Sequence, residues 1–247
     1  MSILLADILG LAAGLLVDYL ADVLPSRHKW GLPFCTYCGA PRPWAAYFRL
    51  GACQTCGKPR PWRSAAVLAS GLIVSSWLWL FAPLKLGYWW SLALVTFLGL
   101  VIIIDIEHRL IQHIVSLFGA VLGLAVGIVA HGIGQTLVGG LVGFVMMLIF
   151  YGFGVLYARY QARKQGLESV DEEALGFGDV TLAGVLGLIL GFANIFYGLM
   201  TGILLAGCFS VFLIGGLLIS KKFQPGNVYI PYGPFLILGA SVYIFFR

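Results

Sequence analysis

The amino-acid sequence predicts an all-α polytopic membrane protein with about eight transmembrane helices and a small cytoplasmic four-cysteine insertion. Of its 247 residues, 60% are hydrophobic and only 10% are charged, whereas soluble domains carry about 25% charged residues. Apolar runs of the roughly 20 residues that a bilayer-crossing helix needs recur along the chain. The basic residues lie between these runs rather than in one stripe, so we expect contacts with membrane lipid and none with nucleic acid.

Eight apolar runs define the expected spans. They cover residues 3–23, 65–83, 87–105, 111–131, 134–157, 179–198, 200–219 and 229–246. The first run lacks the basic start and the small-residue cleavage site of a signal peptide, so we expect it to remain as a helix. A tight turn around residues 191–194 is expected to separate the sixth and seventh runs. The chain then divides into a first helix (1–24), a loop domain (25–64) and a seven-helix membrane core (65–247).

The basic residues predict the orientation of these spans. Segments 24–64, 106–110, 158–178 and 220–228 hold 13 of the 15 lysines and arginines, which leaves only Lys85 and Arg247 elsewhere. Cytoplasmic loops carry an excess of such residues. We therefore expect these four segments on the cytoplasmic side and both termini outside.

The loop domain contains two Cys-x-x-Cys pairs, each followed by a glycine. Cys35 and Cys38 form the first pair, and Cys53 and Cys56 form the second. This spacing is typical of a four-cysteine structural zinc ribbon. Two disulfides or a redox pair are the alternatives, but disulfides rarely persist in the cytoplasm. We predict a closed zinc site whose role is to stabilise a loop with little hydrophobic core of its own.

Two aspartates lie at span ends on the side expected to be cytoplasmic. Asp105 ends the third apolar run, and Asp179 opens the sixth, directly after Gly176-Phe177-Gly178. Carboxyl groups from two helices at one depth can meet across a bundle, where they share a proton because both cannot easily ionise. Such a pair can activate a water and polarise a carbonyl, as aspartic proteases do. Gly176 and Gly178 would allow tight backbone turns and leave room for an extended substrate beside Asp179.

The same aspartates also have interpretations without catalysis. Asp179 at a helix start can be an N-cap, and Asp105 can be a solvated carboxylate at a helix end. A proton-coupled transporter would use the two carboxylates as a relay, although both lie at one face rather than along a path. A non-catalytic scaffold would need only the cysteine loop as a docking module, and it would tolerate a neutral residue at position 105.

Taken from end to end, the chain resembles the type IV prepilin peptidases, which are leader peptidases of the GxGD-type aspartic protease family. The similarity rests on four features in order. They are the cysteine loop after the first helix, Ile104-Asp105-Ile106-Glu107-His108 at the end of the third run, Gly176-Phe177-Gly178-Asp179 at the sixth, and Ile230-Pro231-Tyr232-Gly233-Pro234-Phe235 at the eighth.

The resemblance implies a function. Asp105 and Asp179 would be the catalytic residues, with Gly176 and Gly178 supporting the catalytic loop. The substrate would be a type IV prepilin or pseudopilin, cut after its basic leader at the cytoplasmic face of the bacterial plasma membrane. Many members of the family also methylate the new N-terminus, with S-adenosylmethionine as the methyl donor.

Acidic side chains are the expected contacts of a basic leader, because opposite charges favour the encounter. Asp18 and Asp22 are four residues apart and therefore share a face at the inner end of the first span. Glu172 and Glu173 lie in the loop before Asp179. We predict that these four residues bind the leader, so that replacing Asp18 and Asp22 by alanine raises KM for basic leaders.

Overall fold

A computed structural model describes residues 2–27, 31–48, 51–83, 85–108, 112–165, 176–220 and 230–246. This part of the chain is helical, with no strand and one isolated bridge between Phe34 and Pro41. The helices are α1 (Ile3–Arg27), α2 (Trp44–Phe48), α3 (Trp62–Phe81), α4 (Gly87–His108), α5 (His113–His131), α6 (Ile133–Gln165), α7 (Phe177–Ile219) and α8 (Gly233–Phe245). The all-α prediction is confirmed.

Six of the described helices are long and apolar enough to cross a membrane, namely α1, α3, α4, α5, α6 and α7. The 13-residue α8 is apolar but shorter than the others. The protein is therefore a multi-pass membrane protein.

Helix α7 contains a reversal of the chain. Its residue Gly191 has φ 68° and ψ 172°, which is not helical backbone. Atoms of Ala183 and Ile195 both lie within 3.2 Å of the point that a Cβ on Gly143 would occupy, whereas a straight helix would separate these two residues by about 18 Å. The chain must therefore fold back at Gly191, where glycine adopts the positive φ without the cost of a side chain.

This reversal confirms the predicted turn around residues 191–194 and corrects the span boundaries. The sixth span was expected to end at 198 and the seventh to begin at 200, but the break between them lies at Gly191. Helix α6 also continues to Gln165, beyond the expected end at 157. With α7 counted as two halves, the described helices other than α2 follow the order of the eight predicted runs.

The chain folds as two compact units, Met1–Ile104 and Asp105–Arg247. In the first unit, α1 and α3 approach closely because both carry glycine at the contact. A Cβ on Gly10 would lie 2.6 Å from the carbonyl oxygen of Gly71, and a Cβ on Gly71 would lie 2.6 Å from that of Gly10. The Ser75 hydroxyl donates a hydrogen bond of 2.6 Å to the carbonyl oxygen of Ala6 across the same contact. Small residues of this kind permit close helix packing in membranes.

The second unit contains α5, α6, α7 and α8, and it packs in the same way. Gly139 of α6 lies against Gly187 of α7, and Gly239 of α8 lies against Gly202 of α7, so a Cβ at any of these positions would overlap the neighbouring backbone. The glycines in the fifth and sixth apolar runs therefore serve helix packing. Both Asp105 and Asp179 belong to this unit.

Candidate active site and metal centre

Asp105 lies in the last turn of α4 and is buried, with 6% of its surface exposed. The backbone N–H of Gly233, at the start of α8, donates a hydrogen bond of 3.2 Å to its Oδ2 atom. A solvated carboxylate at a helix end would be open to water. Asp105 is instead buried and accepts its hydrogen bond from Gly233, which lies 128 positions further along the chain.

Asp179 is the third residue of α7 and is also buried, with 8% exposed. The N-cap of the helix is Gly176, and no side chain caps the helix by a hydrogen bond. The interpretation of Asp179 as an N-cap is therefore wrong. Its carboxyl group instead occupies the first turn, where the free N–H groups favour negative charge, and its backbone N–H donates to the Gly176 carbonyl oxygen at 3.0 Å.

The two carboxyl groups lie close enough to interact electrostatically. They come from the end of one helix and the start of another within the same unit. Among the residues that the structure describes, neither aspartate forms an ion pair with a lysine or arginine. Two carboxyl groups at such close range form a pair that can share a proton.

The loop before Asp179 is held by an aromatic contact. The ring of Phe177 packs edge-on against Phe144 and Tyr151 of α6, with centroid distances of 6.5 and 6.1 Å. Gly176 has φ −76°, so its backbone does not require glycine. A Cβ on Gly176 would lie 4.0 Å from Oδ2 of Asp179. The expectation that Gly176 and Gly178 allow tight turns and leave room for a substrate beside Asp179 stays a prediction.

The four cysteines of the loop domain come together. Their Sγ atoms all lie within 4.8 Å of one another, and all four cysteines are free. The Sγ atoms of Cys35 and Cys56 are 3.7 Å apart, and those of Cys38 and Cys53 are 3.8 Å apart. A tetrahedral ion with zinc–sulfur bonds of about 2.3 Å would separate its ligands by about 3.8 Å. The cluster can therefore bind a metal such as zinc.

The two cysteine pairs adopt the same turn. The N–H of Gly39 donates to the Cys35 carbonyl, and the N–H of Gly57 donates to the Cys53 carbonyl, each at 2.8 Å. Both glycines have a positive φ, 70° and 67°, which glycine adopts readily. Backbone N–H groups of Cys56 and Thr55 lower the pKa of the Cys53 thiol to about 6, which favours the thiolate that metals bind.

Asp18 and Asp22 lie in a buried ion-pair network rather than in a groove open to solvent. Asp18 is fully buried and pairs with Arg60 at 3.0 Å and with Arg63 at 2.9 Å. Arg63 also pairs closely with Asp22. The Tyr47 hydroxyl lies 3.3 Å from Asp18 and 3.2 Å from Asp22. The network joins α1 to α2 and to the start of α3.

Tyr47 acts as a proton donor in this network. Burial, followed by the negative charges of Asp22 and Asp18, raises the pKa of Tyr47, so its hydroxyl stays protonated and donates to the carboxylates. The guanidinium of Arg60 lies over the Tyr47 ring at 3.7 Å from its centroid. Two arginines already neutralise Asp18 and Asp22. The predicted contact of these aspartates with a basic leader stays a prediction.

The remaining predicted leader contacts, Glu172 and Glu173, lie outside the described residues. Sequence reasoning missed Arg60, Arg63 and Tyr47 as partners of the first aspartate pair, although the two arginines stand only four and seven residues after the second cysteine pair. Sequence reasoning also assigned no role to Gly233. The feature that could have drawn attention to this residue is its position in a Gly-Pro sequence near the start of an apolar run.

Fold and site together define a multi-pass helical membrane protein with two buried carboxyl groups in its second unit that form no ion pair with a described lysine or arginine. Residues 92–213 match the model of the type IV leader peptidase family, and this segment includes Asp105 and Asp179. The match covers slightly less than half of the chain, supports a type IV leader peptidase and indicates that the protein is a peptidase. Comparisons with curated proteins and with solved structures found no match.

Proposed function

We propose that the protein is an aspartic endopeptidase that cleaves the basic leader from type IV prepilins or pseudopilins. The observation that carries this proposal is the juxtaposition of Asp105 and Asp179, two buried carboxyls from different helices that interact electrostatically. Burying such a pair without a cation is costly. A functional requirement explains why the fold retains it.

The proposed mechanism uses the pair as one unit. One carboxylate takes a proton from a water as the water oxygen attacks the carbonyl carbon of the scissile peptide. The other carboxyl, protonated at the start, donates its proton to the carbonyl oxygen, where negative charge develops. Collapse of the tetrahedral intermediate breaks the C–N bond: the leaving amine receives the proton that the first carboxylate had taken, and the second carboxylate takes a proton back from a hydroxyl of the intermediate, which restores the pair.

The proposed site of cleavage is the cytoplasmic face of the bacterial plasma membrane. The distribution of lysine and arginine supports this orientation, with both termini outside. Labelling intact cells with a membrane-impermeant maleimide tests it. A cysteine placed at Lys85 should react and one placed at Lys58 should not, and the reverse pattern would contradict the orientation.

We further propose that the cysteine cluster holds a structural zinc ion. Cys35, Cys38, Cys53 and Cys56 would be its ligands and would fill a tetrahedral site. Such an ion leaves no open position for a substrate, so its contribution would be the folding of the loop domain. Metal analysis of the purified protein tests this directly, since a zinc content far below one ion per chain would contradict it.

Methylation of the cleaved product, with S-adenosylmethionine as donor, is a separate proposal that rests on the resemblance. It is tested by incubating the cleaved pilin and the protein with S-adenosylmethionine and measuring the mass of the product. An added methyl group on the new N-terminus would support it, and an unchanged mass would remove it while leaving the peptidase unaffected.

The test of the peptidase itself is cleavage of a prepilin from the same cell by the purified full chain in detergent. The products are weighed, and Asp105→Asn and Asp179→Asn are assayed in parallel, with Asp7→Asn of α1 as the matched control. We expect the wild type and the control to release the leader and the two site variants to release none. Cleavage by both site variants at the wild-type rate would disprove the aspartic mechanism.

A further inference from the structure

The start of α8 is in direct contact with Asp105. The first N–H groups of a helix have no partner within the helix and must find one elsewhere. In α8, the N–H groups of Phe235 and Leu236 donate to the carbonyl oxygen of Tyr232, at 3.1 and 3.2 Å. Pro234 has no N–H to donate. The Gly233 N–H is thus the donor that remains in this turn, and Asp105 accepts it.

The contact also leaves no space for a side chain at position 233. A Cβ there would lie 2.7 Å from Oδ2 of Asp105, closer than such atoms approach in proteins, and 3.1 Å from its Cγ. The φ of Gly233 is not among the positive values, so the backbone conformation does not require glycine. Glycine is required at position 233 because the Asp105 carboxyl group occupies the space that a side chain would need.

We propose that Gly233 is a positioning residue for Asp105, and this inference rests on the proposed function. Its N–H holds Oδ2, and its missing side chain lets the carboxyl group occupy that place. The second oxygen of Asp105 has no hydrogen-bond partner among the described residues, so it is available to a water or a substrate. Gly233 lies outside the segment 92–213 that defines the family match.

The Gly233→Ala variant tests the proposal, because a positioning role for Gly233 predicts a lower kcat with an unchanged KM. The new methyl group would push the carboxyl group aside, and we expect kcat to fall by about 100-fold, the loss typical of a catalytic group displaced by about 1 Å. Because the obstructed atom is the end of a side chain, KM and the midpoint of thermal unfolding should stay close to those of the wild type. A kcat within about threefold of the wild type would overturn the proposal, since displacement by about 1 Å costs far more.

Gly202→Ala is the matched control. A Cβ on Gly202 would lie 2.8 Å from the Cα of Leu236, so this variant strains the contact between α7 and α8 without reaching Asp105. We expect it to lower the unfolding midpoint more than Gly233→Ala does while retaining kcat. An equal loss of kcat in both variants would assign the effect to helix packing and overturn the proposal.

A double variant, Gly233→Ala with Asp105→Ala, keeps the proposal testable if Gly233→Ala alone does not fold. Truncation in Asp105→Ala removes the obstructed carboxyl group, so Gly233→Ala should fold when combined with it. Failure to fold there as well would overturn the proposal. Asp105→Asn and Asp179→Asn are measured in the same assay. Cleavage by these two variants contradicts the proposed function, whereas the kcat of Gly233→Ala tests only the role of Gly233.

Discussion

Two pairs of aspartates are buried in this protein, and their surroundings differ. In the first unit, Asp18 and Asp22 are matched by Arg60 and Arg63 and by the Tyr47 hydroxyl. In the second unit, Asp105 accepts a hydrogen bond from the Gly233 backbone, and among the described residues neither Asp105 nor Asp179 pairs with a lysine or arginine. The first pair holds helices together. The second pair remains chemically available, which is what a general acid and base require.

The difference shows that the burial of an acid is a poor guide to its role. Asp18 is more deeply buried than Asp105 or Asp179, yet its charge is neutralised within the protein. Removing one partner of a buried ion pair strongly destabilises a protein, because the other charge stays buried without a partner. An unpaired buried acid has a cost that structure alone does not explain.

The largest expected effect concerns the second pair as a unit. Asp105→Asn and Asp179→Asn should each reduce cleavage by at least about 10³-fold, and the double variant should be no worse than either alone, because residues that act together give non-additive losses. Rates of prepilin cleavage by the three variants measure this. If the double variant loses about as much as the two single losses combined, the two residues act independently and the shared mechanism is incorrect.

Removal of the metal is the next largest effect, and it concerns the first unit. Chelation, or Cys53→Ser with Cys56→Ser, should release the ion and unfold the loop domain, because binding of such an ion supplies much of its folding free energy. Hydrogen exchange of residues 31–48 and 51–61 before and after chelation measures this. Cys208→Ser in α7 is the control and should change neither the zinc content nor the exchange. Unchanged exchange after complete loss of zinc would contradict the structural role.

A smaller effect is expected from breaking the arginine network. Asp18→Ala leaves Arg60 and Arg63 without the carboxylate that both contact, which should cost about 3–5 kcal/mol and lower the unfolding midpoint by about 10 °C. Thermal unfolding in detergent measures the change. Asp7→Asn is the control, since the Asp7 carboxyl group accepts a hydrogen bond from Ser76 at 2.6 Å and pairs with none of the described arginines. Equal midpoints for Asp18→Ala and the wild type would show that the network does not stabilise the unit.

The smallest effect is expected at the reversal in α7. Gly191→Ala places a side chain at φ 68° and 2.7 Å from Cδ2 of His131, and the backbone conformation alone costs about 1–2 kcal/mol. The unfolding midpoint should fall by a few degrees, while Gly207→Ala, in open space on the same helix, should be neutral. A midpoint unchanged by Gly191→Ala would mean that the turn tolerates a side chain.

Much of the fold follows from the sequence because lipid imposes a simple rule. Apolar runs of sufficient length must be helical, so the order of the helices was predictable, and so was the turn after Leu190. The exact break at Gly191 was not predictable, since the apolar runs on either side of it continue without a charged residue. The cysteine cluster was predictable because its spacing within one loop is local.

The site was predictable only in part. Asp105 and Asp179 are rare acids at the ends of apolar runs, and this exceptional position marks them in the sequence. The partners of Asp18 are 29 to 46 residues away in sequence, and the hydrogen bond from Gly233 comes from a backbone atom that every residue except proline has. Contacts of these two kinds are set by the fold and leave little trace in composition or spacing.

The most direct measurement compares Asp18→Asn, Asp105→Asn and Asp179→Asn for both prepilin cleavage and thermal unfolding. We predict a reciprocal pattern, in which Asp105→Asn and Asp179→Asn abolish cleavage and keep the unfolding midpoint. Asp18→Asn should lower the midpoint, and the protein that remains folded should still cleave. Retained cleavage in both Asp105→Asn and Asp179→Asn would contradict the account.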